Sequence, residues 1–332
     1  MADRKRHYGM DWLRIGAFAL LILYHIGMYF VPWGWHVKSD PTIDWVAIPM
    51  LATNSWRLPL LFLVSGYASA ALFAKLGGAG AFVRSRSARL LIPLLFGVIA
   101  VIPPQPWVEL AGQHGYAQNF GHFWFNDYFR FGTLDGIILP TWQHLWFVVY
   151  LWVYTLIAAL VIALVPGEAR VQIADRAARL LGGRGLHVVP LALWLAIYAA
   201  FPTHRETHAL VDDGPTHLHY LMPFAIGWLL RVRPILFAAV ARQWRVALGI
   251  GLAAYGAVAA IEWHYPGAAP MPQAAHIAFA VARLAQGWAT IVALIGIGDR
   301  FANRDHPRRA MLAEAVFPFY IIHQTIIVVV GW

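Results

Sequence analysis

Asp11-Trp12-Leu13-Arg14-Ile15-Gly16-Ala17-Phe18-Ala19-Leu20-Leu21-Ile22-Leu23-Tyr24-His25-Ile26-Gly27-Met28-Tyr29-Phe30-Val31 decides the class of this chain. The run has the length of a bilayer-crossing helix, roughly 20 apolar residues, yet it carries Asp11, Arg14 and His25. Ionisable groups at such depth are costly, which makes each a functional candidate. At 100° per residue, Arg14 and His25 lie roughly 20° apart on the helix surface, and Asp11 and His25 roughly 40°. All three share one face. About 16 Å of helical rise separates Arg14 from His25, too far for contact but suited to lining one path through a bundle. The run leads into Pro32, Trp33 and Trp35 and lacks a small-residue cleavage site, so it is expected to be retained rather than removed as a leader.

The rest of the chain repeats the pattern. Of its 332 residues 60% are hydrophobic and 12% charged, with a mean hydropathy of +0.58, which places it among polytopic membrane proteins whose solvent is the lipid bilayer. Apolar runs at 11–31, 48–74, 88–104, 143–165, 186–201, 217–231, 246–263, 274–298 and 313–332 predict an all-α transmembrane bundle of about nine spans, a single domain over 1–332. Connections after alternate spans carry 19 basic residues, in the groups Arg4 to Arg6, Lys75 to Arg89, Arg170 to Arg184, Arg231 to Arg245 and Arg300 to Arg309, against Lys38, Arg130 and Arg205 opposite them. This asymmetry predicts a cytoplasmic amino terminus. It also accounts for the net charge of +9 as a topology signal rather than a nucleic-acid surface. Nine spans would leave Trp332 on the outer side behind the apolar run Ile326 to Val330, and a further helix is expected beyond it. With no cysteine, disulfides, thiolate metal sites and a Cys nucleophile are excluded. His204 and His208 have helical ligand spacing, but a loop shared with Glu206, Asp212 and Asp213 favours a solvated segment, and no metal is expected.

Four segments together resemble the acyltransferase-3 membrane acyltransferases, and within them the branch that modifies periplasmic glucans. They are Met10 to Arg14 with Leu23-Tyr24-His25; Trp56-Arg57-Leu58-Pro59 through Ser65-Gly66-Tyr67; Arg86-Ser87-Ala88-Arg89 leading to Pro93; and His144-Leu145-Trp146-Phe147 with Phe319-Tyr320-Ile321-Ile322-His323-Gln324. The resemblance implies about ten core helices, a catalytic His25, and transfer of an acyl group from acyl-CoA on the cytoplasmic side of a bacterial inner membrane to a carbohydrate hydroxyl on the far side. Succinyl is the group that branch suggests, with acetyl as the other possibility.

The residues support roles of their own. Neutral imidazole at His25 can accept a hydroxyl proton and return it to a leaving thiolate, its reference pKa of about 6.5 being close to working pH. Asp11 is too far along the helix to orient it, so the orienting partner has to come from another helix. Arg14 suits the phosphates of a nucleotide carrier, or else pairs with Asp11. Arg57 polarises the thioester carbonyl or holds an anionic substrate group, or else pairs with an outer-loop carboxylate. Ser65 is a candidate contact but fits better as a small helix-packing residue. His144 and Trp146 stand at the outer rim, where the tryptophan suits either a glycan or an aromatic belt. Tyr320 and His323 fall mid-span and are assigned to the acceptor or the carrier. Arg86 and Arg89 support the carrier site, and Arg283 either neutralises substrate charge or locks helices through Glu262. The segment 103–142, rich in aromatics, caps an acceptor groove or rests in the headgroups. Two other classes fit less well: a proton-coupled transporter using His25, His323 and the arginines would be expected to show repeated halves, which are absent, and an assembly subunit has no use for buried charges.

Overall fold

The computed structural model describes residues 7–267 and 269–332; Arg4, Lys5 and Arg6, counted above among the basic connections, lie outside the described residues. The decisive first run forms α1 (Tyr8–Phe30). Asp11 sits in its first turn, where the exposed N–H groups favour negative charge. At the other end Lys38 turns back, its Nζ donating to the carbonyls of Met28 (2.5 Å) and Val31 (2.6 Å). Val31 itself is extended, as the residue before a proline prefers. α2 (Ala47–Leu76) runs through Pro59 without a break and stops at Gly77, whose φ of 73° is the left-handed geometry glycine adopts most readily.

α3 (Ala79–Phe96) continues through a π turn at 97–101 towards α4 (Pro104–Gln113). Then comes the long aromatic segment. It folds as α5 (Phe120–His122), a π turn at 123–127, and a hairpin of β1 (Gly132–Leu134) and β2 (Ile137–Leu139), with Gly132 opposite Leu139 and Leu134 opposite Ile137. Asp135 and Gly136 both have positive φ at its tip, as Asp-Gly hairpin turns require. This hairpin is the one departure from the all-α expectation among the described residues. α6 (Trp146–Leu164), α7 (Gly167–Leu180), α8 (Gly185–Ala200), α9 (Gly214–Val232), α10 (Ile235–His264), α11 (Gln273–Phe301) and α12 (Pro307–Gly331) complete the bundle.

Seven helical segments are long and apolar enough to cross a bilayer, and the pair α7 and α8, bent by 99°, makes an eighth if counted as one broken span. The nine spans expected from hydropathy are more than this count. The run 186–201 became α8, whose 16 residues give about 24 Å of rise against a hydrocarbon core of roughly 30 Å. The run 217–231 lies in α9, which opens on Pro215, His217 and His219 and falls short of the apolarity a span needs.

α9 can carry those polar groups because much of it faces protein. It lies parallel to α2, with Tyr220 against Phe62 (ring centroids 4.9 Å) and, further along both helices, Trp228 against Phe73 (6.0 Å). Two glycines permit the approach: a Cβ at Gly66 would overlap the Phe224 carbonyl, and one at Gly227 would overlap the Leu63 carbonyl. Phe62, fully buried, is the hub of this core, its ring meeting Phe147, Tyr154 and Trp146 from α6 at 4.5, 5.4 and 6.1 Å. α12 closes the bundle against α1, which brings residues nearly 300 positions apart into contact.

Candidate active site

His25 lies on the fifth turn of α1, on the side that meets α12, and its Nδ1 is 2.7 Å from His323 Nε2. The two rings are nearly parallel, with centroids 4.9 Å apart. His323 Nδ1 in turn lies 2.8 Å from the Tyr320 carbonyl. A carbonyl only accepts, so the His323 proton sits on Nδ1 and its Nε2 is left as an acceptor. His25 Nδ1 therefore donates to that Nε2. In the neutral pair this leaves the lone pair of His25 Nε2 unused, on a ring that lines a cavity of about 440 Å³. The orienting partner that α1 could not supply is His323; Glu314, the acid nearest to it on α12, is not involved.

The cavity collects groups from four helices and three loops. His144 enters at the start of α6; its Nε2 is 3.1 Å from the carbonyls of Tyr320 and Ile321, so Nε2 carries the proton, while its buried Nδ1 has no hydrogen-bond partner. Tyr320 reciprocates by donating its hydroxyl to the His144 carbonyl. These contacts clamp α6 to α12 beside the histidine pair. Arg57 reaches the same space from α2. It is buried, its guanidinium carbon 3.8 Å above the Tyr24 ring; Nη1 makes a long hydrogen bond to Thr53 Oγ1 at 3.4 Å, and the buried Nε has no partner. No carboxylate pairs with Arg57 among the described residues. A buried guanidinium in that state suits an anionic or oxyanionic occupant. Its stacking partner is fixed from behind, since Asn54 Nδ2 donates to the Tyr24 hydroxyl (2.5 Å) and Arg283 donates to Asn54 Oδ1.

The mouth is aromatic and polar. Trp35, His36, Trp142, Thr207 and His208 line it alongside Trp146. His36 Nδ1 lies 2.5 Å from Glu109 Oε2, and its Nε2 receives Gln324 Nε2 at 3.2 Å; Gln324 also donates to Gln105 Oε1 (3.0 Å), tying α4, α12 and the 32–43 loop into one wall. Most of the 201–213 segment is exposed, as expected of a solvated loop, but it is folded around one buried carboxylate. Asp213, wholly buried, accepts from His204 Nε2 (2.7 Å), the Tyr150 hydroxyl (2.9 Å) and the backbone N–H groups of Thr207 (3.1 Å) and His208 (2.7 Å). Burial works to raise its carboxyl, but these donors and Thr216 outweigh it and hold the group below its ordinary value. The loop so folded lays the His208 ring flat on Trp146, centroids 4.0 Å apart.

At the opposite, basic end, Arg14 donates Nη2 to the Ala313 carbonyl (2.8 Å) and keeps a buried Nε without a partner. Arg86, on α3, lies within electrostatic reach of Arg14 and Arg89 and has two buried nitrogens, Nε and Nη2, without partners. Arg309 binds Asp11 (2.6 Å) and Asp305 (2.8 Å). Unmet arginine donors thus cluster at one end of α1 and the histidine pair lies near the other.

Residues 7–331 match a family profile described as an acyltransferase domain. The chain belongs to the acyltransferase-3 family. Among curated proteins, glucans biosynthesis protein C of Escherichia coli K12 is 24% identical over 261 residues, covering 76% of this chain and 66% of that protein, and the protein of the same name from Escherichia coli O157:H7 gives the same figures. The chain thus spans just under two thirds of the length of these relatives. No solved structure gives a significant match.

In this acyltransferase-3 chain the structure brings together His25, Arg57, His144, Trp146, Tyr320 and His323 of the residues singled out from sequence. Arg14 and Arg86 lie together at the basic end, with Asp11 one turn before Arg14; Arg89, on the same helix as Arg86, is exposed. Ser65 is half-buried on α2 and does not line the cavity; its neighbour Gly66 is the residue the packing needs. Arg283 bonds Asn54 rather than Glu262, which instead accepts from the Gly267 N–H (3.3 Å). Of the 103–142 segment, Thr141 and Trp142 border the cavity while α4 packs on α12. Sequence reasoning missed His36, His208, Gln324, Asp213, Tyr24 and Asn54. Gln324 and Tyr24 adjoin singled-out histidines and were within reach of the motif, whereas the others depend on loop folding or on cross-helix contact.

Proposed function

We propose that this protein transfers an acyl group from acyl-CoA to a hydroxyl of a periplasmic or cell-surface carbohydrate across a bacterial inner membrane, its amino terminus cytoplasmic. The observation that carries the reading is the relay from the Tyr320 carbonyl through His323 to His25, which leaves a basic nitrogen on a ring lining a polar cavity beside a buried arginine with no carboxylate partner among the described residues. The CoA nucleotide would dock at Arg14 and Arg86, with Arg89 adding charge, and its thioester arm would cover the about 16 Å of rise to His25. The sugar would enter from the aromatic mouth, where the rings of Trp35, Trp142 and Trp146 offer stacking faces.

His25 Nε2 takes the hydroxyl proton as the oxygen attacks the thioester carbonyl, and Arg57 and the site dipoles meet the charge that develops on the carbonyl oxygen. Collapse breaks the C–S bond, and the thiolate takes the proton back from His25. The products are the acyl ester and free CoA. Direct transfer is favoured over a covalent serine intermediate because Ser65 does not line the cavity. An anionic acyl chain such as succinyl would give Arg57 a counter-ion; acetyl would use Arg57 for the carbonyl alone. Mixing the protein in vesicles with succinyl-CoA or acetyl-CoA and a glucan oligosaccharide should release CoA and label the glycan, and His25→Ala should abolish both. Uptake of a solute that survives without any CoA thioester, with no labelled glycan, would favour transport and overturn the reading.

A further inference from the structure

Away from the catalytic cavity, α2, α6, α7, α8 and α9 line a second, open space of about 910 Å³, almost wholly apolar. Along α9 it extends from Leu221 to Arg233, about 18 Å of helical rise, close to the depth of one leaflet, roughly half of a 30 Å hydrocarbon core. At the basic end α7 turns 99° from α8 and lines the space through Arg170, Ala174 and Ala177, with Val171, Ile173 and Leu180 exposed. A helix that points apolar residues outward while carrying Arg170, Arg176 and Arg179 has the composition of a headgroup-level helix.

Two arginines border the space. Arg233 is committed: its Nε bonds Asp175 (2.6 Å) and its Nη2 the Val171 carbonyl (3.1 Å), which pins α7 to the end of α9. Arg170 is not, for its Nε is buried with no hydrogen-bond partner. A buried N–H without an acceptor leaves this guanidinium uncommitted, and a phosphate oxygen is the acceptor its fork matches best. Water does not fill an apolar space of this kind, whereas an acyl chain does.

We propose that the groove holds one anionic phospholipid of the leaflet at the basic end, an acyl chain lying along α9 and its phosphate at Arg170. Native mass spectrometry of the full chain, extracted in mild detergent and exchanged against mixed phosphatidylglycerol and phosphatidylcholine, tests this. Wild type should retain one phosphatidylglycerol. Ala225→Trp, whose exposed side chain points into the groove, and Ala158→Trp on the facing wall should lose it while thermal unfolding shows them folded. Arg170→Gln, at a half-buried position outside the hydrophobic core, should retain a lipid but lose the preference for phosphatidylglycerol. A folded wild type without bound lipid, tryptophan variants that retain lipid as wild type does, a retained species that is neutral or an acyl-CoA, or a headgroup preference indifferent to Arg170→Gln would each overturn the proposal.

Discussion

Replacing His323 by leucine tests the relay at its middle member. In the wild type His25 Nδ1 donates across 2.7 Å and His323 passes the alignment on to the Tyr320 carbonyl across 2.8 Å. Leucine fills the volume but accepts nothing. The His25 N–H then lacks its acceptor, a deficit of about 1–3 kcal/mol, and the ring can populate the tautomer in which Nε2 carries the proton and is useless as a base. Converted at 1.36 kcal/mol per factor of ten, the expected loss in kcat is about five- to 150-fold. Loss of the base itself should cost more, about a hundred- to ten-thousandfold. Initial rates of CoA release at saturating donor, from protein in vesicles, read this directly. His323→Gln, whose Oε1 can accept from His25, should recover part of the rate. Residues that act as a unit lose activity non-additively, so the His25→Ala, His323→Leu double variant should be no slower than His25→Ala alone. A folded His323→Leu protein working at the wild-type rate, or a double variant showing the product of both single losses, would refute the relay.

Three further outcomes follow from the geometry. Arg57→Lys keeps the charge but loses the planar fork and the stack on Tyr24, so kcat should fall about tenfold or more, and Arg57→Gln about a hundredfold or more, measured by the same CoA-release assay. Gly227→Ala should destabilise the protein by about 1–3 kcal/mol through forced separation of α2 and α9, read as a lower unfolding temperature in detergent, whereas Gly249→Ala on α10, with open space around it, should not. The Asp213 carboxyl is depressed from its ordinary 3.8. Its stabilising contribution is therefore complete above that value and is lost as pH falls through the lower folded-state value. Asp213→Asn should remove it at neutral pH as well, costing about 2–3 kcal/mol locally; faster tryptic cleavage at exposed Arg205 is the measurement, and unchanged cleavage would refute the anchoring role.

The parts of this structure legible in the sequence are those governed by local composition. The first helix, the shared face of Asp11, Arg14 and His25, and the grouping of basic residues follow from hydropathy and helical periodicity. The difference in span count has a definite cause: hydropathy treats each apolar run as facing lipid, but 217–231 lies in a helix seated on α2, and 186–201 is one arm of a bent pair. Ser65 drew notice because it is polar in an apolar run. The packing turned instead on Gly66, whose lack of a side chain leaves no periodic trace.

Sequence alone established an all-helical membrane bundle with a histidine deep in its first helix, because the cost of exposing apolar surface to water, or charge to lipid, can be summed residue by residue along the chain. Only the tertiary structure decided what that histidine can do. Its partner lies 298 positions away on the last helix, the arginine above it comes from the second, and the folded 201–213 loop brings His208 to the mouth. Such contacts depend on how helices cross and loops fold back in three dimensions, and no local pattern of residues encodes them one at a time.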